Sequence, residues 1–416
     1  MSRLPVIIFV CVLFLALDLY AFQALRLVTR SLSDGWRMSI HGVYWGFSIL
    51  VYLGLLVFGR VSSDEYRALR TLIAGGMMIS VMAKLFAGVV LLIGDLSRGI
   101  QWVIARMSGG ETSAAGTTIS RSEFLGKAAI IASVVPTATI SFGILSGAHD
   151  YRVRRHTVHL PNLPKEFDGL RIAQVSDIHS GSFFNKTAVK GGVEMLLGEK
   201  PDVVFFTGDL VNERTREVRD YTELFSKLKA PLGVYSVLGN HDYGDYYSNW
   251  SSDAAKAQNL KDMHTVVRDT LGYDLLLNEN RTLTVDGASI GLIGVENWGH
   301  RFVQHGDLEQ AYAGMEEMPV KLLLSHDPSH WDAIVRPDFP DVDITFSGHT
   351  HGAQFGVELP NFRWSPSQYI YKQWAGLYQE GGQYLYVNRG YGYIGFPGRI
   401  GMPPEITIME LKKGIS

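Results

Sequence analysis

With one cysteine, Cys11, in 416 residues, the chain has no intrachain disulfide available, and thiol usage says nothing about the redox compartment. Basic blocks are missing as well. The formal net charge is -3 and no Lys/Arg stripe stands out, so a nucleic-acid partner is not expected. No internal repeat or low-complexity tract breaks the pattern. What is abundant is apolar: 46% of the residues, enough for more than one domain and a large core. These residues concentrate before residue 150, whereas His, Asn and Asp concentrate after residue 155.

Four apolar segments, at 5–25, 39–59, 71–94 and 127–147, each approach the ~20 residues that a bilayer core requires. Trp45 and several glycines soften the second, and the fourth carries Pro136, which a helix packed against neighbours accommodates. A cleavable signal peptide would explain the first segment alone, but three further segments make residues 1–150 a multi-pass anchor. Lys/Arg placement nearly balances between the two faces: Arg3, Arg60, Arg67, Arg70, Arg152, Arg154 and Arg155 against Arg26, Arg30, Arg37, Arg98, Arg106, Arg121 and Lys127. The stretch Ser120 to Lys127 resembles a twin-arginine export signal lacking its second arginine, which implies that the polar second half of the chain lies outside the cytoplasm. Asp18 and Lys84 lie twelve to thirteen positions into two spans of the same direction. Either they pair, or each finds a wet crevice or an interface, because an isolated charge there is expensive.

Beyond residue 157 the pattern becomes short β-rich runs: 171–176, 203–207, 234–238, 289–294, 322–325 and 344–347. Helical stretches fall near 186–198, 214–228 and 253–271, and the alternation implies a layered α/β domain. Pro161-Asn162-Leu163-Pro164 reads as the link to the membrane helices.

Polar residues at the carboxyl ends of such strands face the crevice where α/β domains bind ligands. Asp177 and His179, two apart after the first run, can reach one metal ion from a tight loop. Asp209 offers a carboxylate able to bridge two metals, and Gly208 before it lets the backbone come close. Asn240 supplies a neutral amide oxygen, and His326, His349 and His351 supply ring nitrogens. A mixed Asp/His/Asn set without thiolate suits manganese, iron or zinc better than Cu(I) or an iron–sulfur cluster. Any one of these short runs alone is an ordinary turn or cap; their order along the chain carries the weight.

The ordered set Asp177-Ile178-His179, Gly208-Asp209, Gly239-Asn240-His241-Asp242, His326 and Gly348-His349-Thr350-His351 resembles the calcineurin-like metallophosphoesterase family over about residues 155–412. The resemblance implies a four-layer αββα sandwich behind the transmembrane helices, with two metal ions, manganese first and iron or zinc as alternatives. By position, Asp177, His179 and His351 would hold the first ion, Asn240, His326 and His349 the second, and Asp209 would bridge them. Asn388 to Gly392 and Pro403 to Ile406 resemble the end of the family's membrane-associated bacterial branch. Such a centre acidifies a bridging water and clamps the phosphoryl oxygens during in-line displacement. His241 is then the general acid, or a donor to the phosphoryl group.

One position departs from the family. The usual final Asp of G-D-x-x-D is Asn212, which brings no negative charge to raise the pKa of His241; Asp242 is the candidate to compensate. Glu296 is a possible substrate contact, or a plain loop carboxylate. His330 reads as a residue behind the ligands, and His156, His159, His264, His300 and His305 as surface or satisfied core histidines. The aromatic cluster Trp364, Tyr369, Tyr371, Trp374 and Tyr378 flanks the site, grazes the membrane or simply packs. Two functions follow. One is a membrane-anchored phosphodiesterase or pyrophosphatase acting on a lipid-linked or envelope phosphate, in a bacterial plasma membrane. The other is a sensor or transport-associated protein whose soluble domain binds metal without turnover.

Overall fold

The computed structural model describes residues 4–61, 65–108, 121–360 and 362–414. It divides into two compact units, Met1–Ile144 and Leu145–Ser416. Arg3 and Ser120, both used in reading the membrane topology, lie outside the described residues.

Among the described residues, the first unit holds four helices long and apolar enough to cross a membrane: α1 (Leu4–Val28), α2 (Asp34–Phe58), α3 (Arg67–Ser108) and α4 (Arg121–Leu145). The apolar run behind α3 stops near residue 94, yet the helix continues, because Leu96, Ile100, Gln101, Ala105 and Arg106 all favour it. Pro136 stays inside α4, where the Ser133 and Thr137 hydroxyls donate back to the carbonyls of Ile130 and Ser133. Asp18 and Lys84 do meet. The ammonium lies 2.5 Å from the carboxylate, Ser48 donates to the same oxygen at 2.9 Å, and Tyr52 donates to the other. Tyr44 closes the group with a 2.8 Å hydrogen bond to the Asp18 carbonyl. Three helices therefore converge on one charge pair whose hydrogen-bonding groups serve one another.

The second unit contains two six-stranded sheets. In the first, β1 (Arg152–Leu160) pairs in parallel with β14 (Glu405–Lys413), which runs antiparallel to β2 (Arg171–Val175). β3 (Val203–Thr207), β4 (Val234–Val237) and β5 (Asp274–Leu275) continue it in parallel. The second sheet comprises β6 (Glu279–Val285), β7 (Ala288–Gly294), β8 (Lys321–Leu324), β9 (Ile344–Ser347), β12 (Gly376–Glu380) and β13 (Gln383–Val387). Its order is β12-β13-β9-β8-β7-β6. A separate hairpin joins β10 (Val357–Leu359) to β11 (Phe362–Trp364).

Strand alternation explains the layers. Ile172, Phe205, Leu322, Leu324, Ile344 and Met409 pack in one core shared by the two sheets. Their neighbours Ala173, Phe206 and Ile408 belong instead to a core on the outer face of the first sheet, with Val189, Val193 and Leu196 of helix α5 (Lys186–Gly198). Leu323, Leu385 and Trp331 form a third core outside the second sheet. The result is the αββα sandwich.

Three details differ from the sequence reading. Pro161–Pro164 is no linker: Leu160 and Leu163 are fully buried in the inter-sheet core, so the segment is a turn inside the domain. The stretch near 214–228 forms tight 3₁₀ turns over Thr215–Tyr221 and one α turn over Thr222–Phe225. Its start is tied down by Glu217, whose carboxylate accepts the Asn212 N–H at 2.7 Å. The helix at Asp253–Thr265 ends in a wide π turn over Val266–Thr270.

Candidate metal centre

Five strands end at one edge of the sandwich, and each delivers polar side chains there. Asp177 and His179 follow β2, Asp209 follows β3, and Asn240 and His241 follow β4. His326 follows β8, and His349 and His351 follow β9. Five of these side chains belong to residues in the left-handed backbone region: Asp177 (φ 53°), His179 (48°), Asp209 (60°), His349 (70°) and His351 (52°). Non-glycine residues rarely accept it, and each costs on the order of 1–3 kcal/mol. Strain gathered at one strand edge marks residues held for something other than stability. Gly208, at φ 93°, allows the close crossing of two of these loops, since a Cβ there would overlap the Gly239 backbone.

The side chains meet in two groups, Asp177, His179 and His351, and Asp209, His326 and His349. In the first, the Nε2 atoms of His179 and His351 are 3.0 Å apart, with Asp177 Oδ1 3.2 Å from His351. In the second, His349 Nδ1 lies 3.3 Å from His326 Nε2 and 2.8 Å from Asn240 Oδ1. Asp209 Oδ2 stands between the groups, 3.5 Å from His179 Nε2 and 3.2 Å from His326 Nε2. Its other oxygen accepts the His241 N–H at 2.9 Å.

The residues fit cations. The Nδ1 atoms of His179 and His326 approach the carbonyls of Val211 (3.2 Å) and Thr207 (2.7 Å); a carbonyl only accepts, so each Nδ1 carries the proton and each Nε2 is the ligating atom. Two ring nitrogens facing each other at 3.0 Å beside a carboxylate are the donor set of a metal site, not of a self-satisfied network. Burial pushes the Asp177 and Asp209 carboxyls up, but the surrounding imidazoles outweigh it and hold both well below the ordinary carboxylate range. Burial likewise disfavours a proton on His326, yet Asp209 carries that ring up to about 10; a bound cation competes for the same place.

Around the ligands, Asp242 fixes the Asp209 loop: its carboxylate accepts the N–H groups of Asp209, Leu210, Val211 and Gly239 at 2.8–3.3 Å. Asp242 is therefore a brace whose carboxylate is spent on main-chain N–H groups rather than on the His241 ring. His241 Nδ1 donates to the backbone carbonyl of Asn212 at 2.6 Å. The Asn212 amide turns away to Ser182, at 3.0 Å, so the expected side-chain coupling of Asn212 to His241 is absent; the main chain makes that contact. Glu296 uses its oxygens on Tyr243 (3.2 Å) and Asn278 (3.1 Å), a structural tie between loops. His330 is buried behind the site with Nδ1 2.9 Å from Ser325 Oγ, and burial lowers it to about 4.

Other residues at the site carry no motif. Tyr246 stacks on His241 at 4.1 Å and accepts the Asn240 amide N–H at 2.8 Å, which turns Asn240 Oδ1 toward His349. Tyr371 places its hydroxyl 2.7 Å from His349 Nε2, while Trp374 of the same aromatic cluster is buried in a small core of its own. Asp327 lies 3.6 Å from His349 Nε2. The late glycine-rich stretch also reaches in: Tyr391 and Gly392 donate main-chain hydrogen bonds to the carbonyls of Ser176 and Asp177, at 2.8 and 2.9 Å. Arg399, buried, donates to the carbonyls of Arg389, Gly392 and Met402 and so sets the shape of that stretch. Only residue-by-residue packing reveals these parts, because Tyr, Asp and Arg in loops have no distinguishing spacing.

A strand-edge pair of Asp/His clusters with a shared carboxylate, on an αββα sandwich, defines a metallophosphoesterase. The chain belongs to the calcineurin-like phosphoesterase family. Residues 170–353 match its catalytic domain, "Calcineurin-like phosphoesterase", and residues 2–148 match "Probable Calcineurin-like phosphoesterase, transmembrane domain". Among its relatives is the metallophosphoesterase YkuE of Bacillus subtilis, 29% identical over 64% of this chain and 86% of the relative. A transmembrane protein with metallophosphoesterase domain from Danio rerio is 26% identical over 99% of this chain and 90% of that protein. The UDP-2,3-diacylglucosamine pyrophosphatase LpxG of Chlamydia trachomatis is 30% identical over 60% of this chain and 86% of its own length. The chain is thus a membrane-associated, metal-dependent phosphoric ester hydrolase.

Proposed function

We propose that the protein is a phosphodiesterase or pyrophosphatase acting on a lipid-linked or cell-envelope phosphate ester. The observation that carries the reading is the position of Asp209 Oδ2 between the two clusters, within 3.5 Å of a ligating nitrogen in each. In this reading Asp177, His179 and His351 hold one ion, Asn240, His326 and His349 hold the other, and Asp209 bridges them. Manganese is the proposed metal, and iron or zinc suits the same ligands. Two bound cations supply Lewis-acid charge for the phosphoryl oxygens and a more acidic water.

The protein's own side chains do the rest. His241, with its Nδ1 proton committed to the Asn212 carbonyl, presents Nε2 to the leaving oxygen or the phosphoryl group. Beside His349 a cleft of about 340 Å³ is lined by Arg301, Lys372, Asp327, Asp332, Ser329 and Tyr371, a wall of both charges and hydrogen-bonding groups whose cations could meet a second phosphate. The membrane helices and the likeness to a diacylglucosamine pyrophosphatase support a lipid-borne substrate. The Ser120–Lys127 resemblance supports a catalytic domain outside the cytoplasm of a bacterial plasma membrane, which a reporter fused after Ser416 checks.

The test is turnover by the purified full chain of an activated diester, an activated monoester and a lipid-linked diphosphate, with and without Mn²⁺. Metal-dependent hydrolysis of diester or diphosphate is expected. Equal turnover by Asp209→Asn, or none by the wild type, overturns the reading.

A further inference from the structure

The hairpin β10–β11 is amphipathic in the unusual sense. Its register pairs Glu358 with Arg363 on one face and Val357 with Trp364 and Leu359 with Phe362 on the other. The charged face holds the hairpin to the domain: Glu358 accepts from Arg389 at 2.6 Å and from Arg154, and Arg363 donates to the Ala375 carbonyl at 2.7 Å while lying over the Trp374 ring. The apolar face is left outside. Val357, Leu359 and Phe362 are 43%, 59% and 56% exposed. A soluble hairpin usually turns its apolar face to the core; this one ties its charged face to the domain and leaves the apolar side chains exposed.

The patch continues toward the metal centre. Trp364 donates its indole N–H to the Tyr369 hydroxyl at 3.2 Å, and the neighbouring Ile370 is 55% exposed. Ile370 and Tyr371 then line the cleft beside His349. Apolar side chains bordered by Trp and Tyr with polar tips are the composition of a membrane–water interface. A bilayer is also the partner this chain always has, since its own four helices keep one at high effective concentration, whereas a second copy must be met by diffusion.

We infer that the β10–β11 hairpin is a bilayer-docking lip: Val357, Leu359 and Phe362 enter the lipid interface, and Tyr369 and Ile370 lead from it to the cleft of the metal centre. The inference deepens the proposed function, because it names the surface by which a lipid-borne phosphate ester reaches the site. Its primary test does not require turnover.

Full-length protein carrying Cys11→Ala and Leu359→Cys is labelled with an environment-sensitive dye and placed in nanodiscs of one copy each, with Lys261→Cys, on an exposed helix, as the comparison site. Blue-shifted emission and at least about twofold stronger quenching by spin-labelled lipid are expected at position 359. Emission and quenching equal at the two sites overturn the inference, as does shielding seen only when a disc holds two copies, which assigns the face to self-association. A Leu359→Asp, Phe362→Asp variant adds a second arm. It is expected to keep turnover of a water-soluble diester and lose about tenfold on a bilayer-embedded diphosphate; equal losses on both, or on neither, count against docking. Wild type that shows lipid quenching but hydrolyses no lipid diphosphate defeats the substrate reading alone.

Discussion

At Asp18 a buried carboxylate is surrounded by donors: the Lys84 ammonium, the Ser48 hydroxyl and the Tyr52 hydroxyl each give it a proton to share. At Asp209 a buried carboxylate stands beside the ring nitrogens of His179 and His326, which in turn crowd those of His351 and His349. Both clusters join elements distant in sequence, and both put charge where water is scarce. The first closes on itself, with one positive and one negative charge and every hydrogen bond used within it. The second is open in its side chains, with carboxylate and imidazole lone pairs set against one another as a donor set for cations. Buried charge is thus a staple where its complement is built in and a binding site where the complement is left out.

That contrast predicts opposite phenotypes, and the largest effect is expected at the open cluster. Asp209→Asn should cut metal-dependent turnover by about 10³-fold or more and lower the metal content measured by elemental analysis, without lowering the melting temperature of the metal-free protein. His241→Ala should lose about 10² to 10⁴ in kcat while retaining its metal; metal loss in that variant would remove His241 from the proton-donor role. Asp18→Ala should behave the other way round. Breaking the closed pair is expected to destabilise the helical unit by about 3–5 kcal/mol in detergent unfolding, with metal content unchanged, and the Asp18→Lys, Lys84→Asp double swap should recover part of it. A double swap no more stable than either single change would show that the pair is incidental. Tyr246→Phe is subtler: without the hydroxyl that orients the Asn240 amide, metal affinity measured by titration should fall at least about tenfold. The smallest effect is expected from Asn212→Asp. Because the His241 ring bonds the main-chain carbonyl there, the pH–rate profile should stay where it was, and a clear shift would restore the side-chain coupling expected from the family pattern.

The positions of the seven proposed ligands were legible because each sits within a few residues of a strand end, and these strand ends are announced by short apolar runs stopping at Gly or Ser. Asp18 and Lys84 could be paired by depth alone. The Asn212 carbonyl could not be foreseen, since a main-chain group leaves no mark on residue type. Tyr246, Tyr371 and Arg399 act through contacts that loop sequence does not encode by spacing. Pro161–Pro164 misled for a related reason: prolines usually mark a boundary, but Leu163 between them is pulled into the core by tertiary burial. The hairpin was hidden because its alternation is correct for a strand, and only the structure shows which face is turned out.

The pairing of β1 with β14 has a consequence for how the enzyme comes into being. Arg152 lies opposite Glu405 in that ladder, so the strand that begins the domain waits for one made some 250 residues later, and β14 also separates β1 from β2. During synthesis the helices are available first, while the first sheet stays incomplete until its final strand slides between two earlier ones. The same late segment delivers Tyr391 and Gly392 to the Asp177 loop. Hydrolytic competence is therefore timed by topology: the chain is already anchored before it acquires a finished active site.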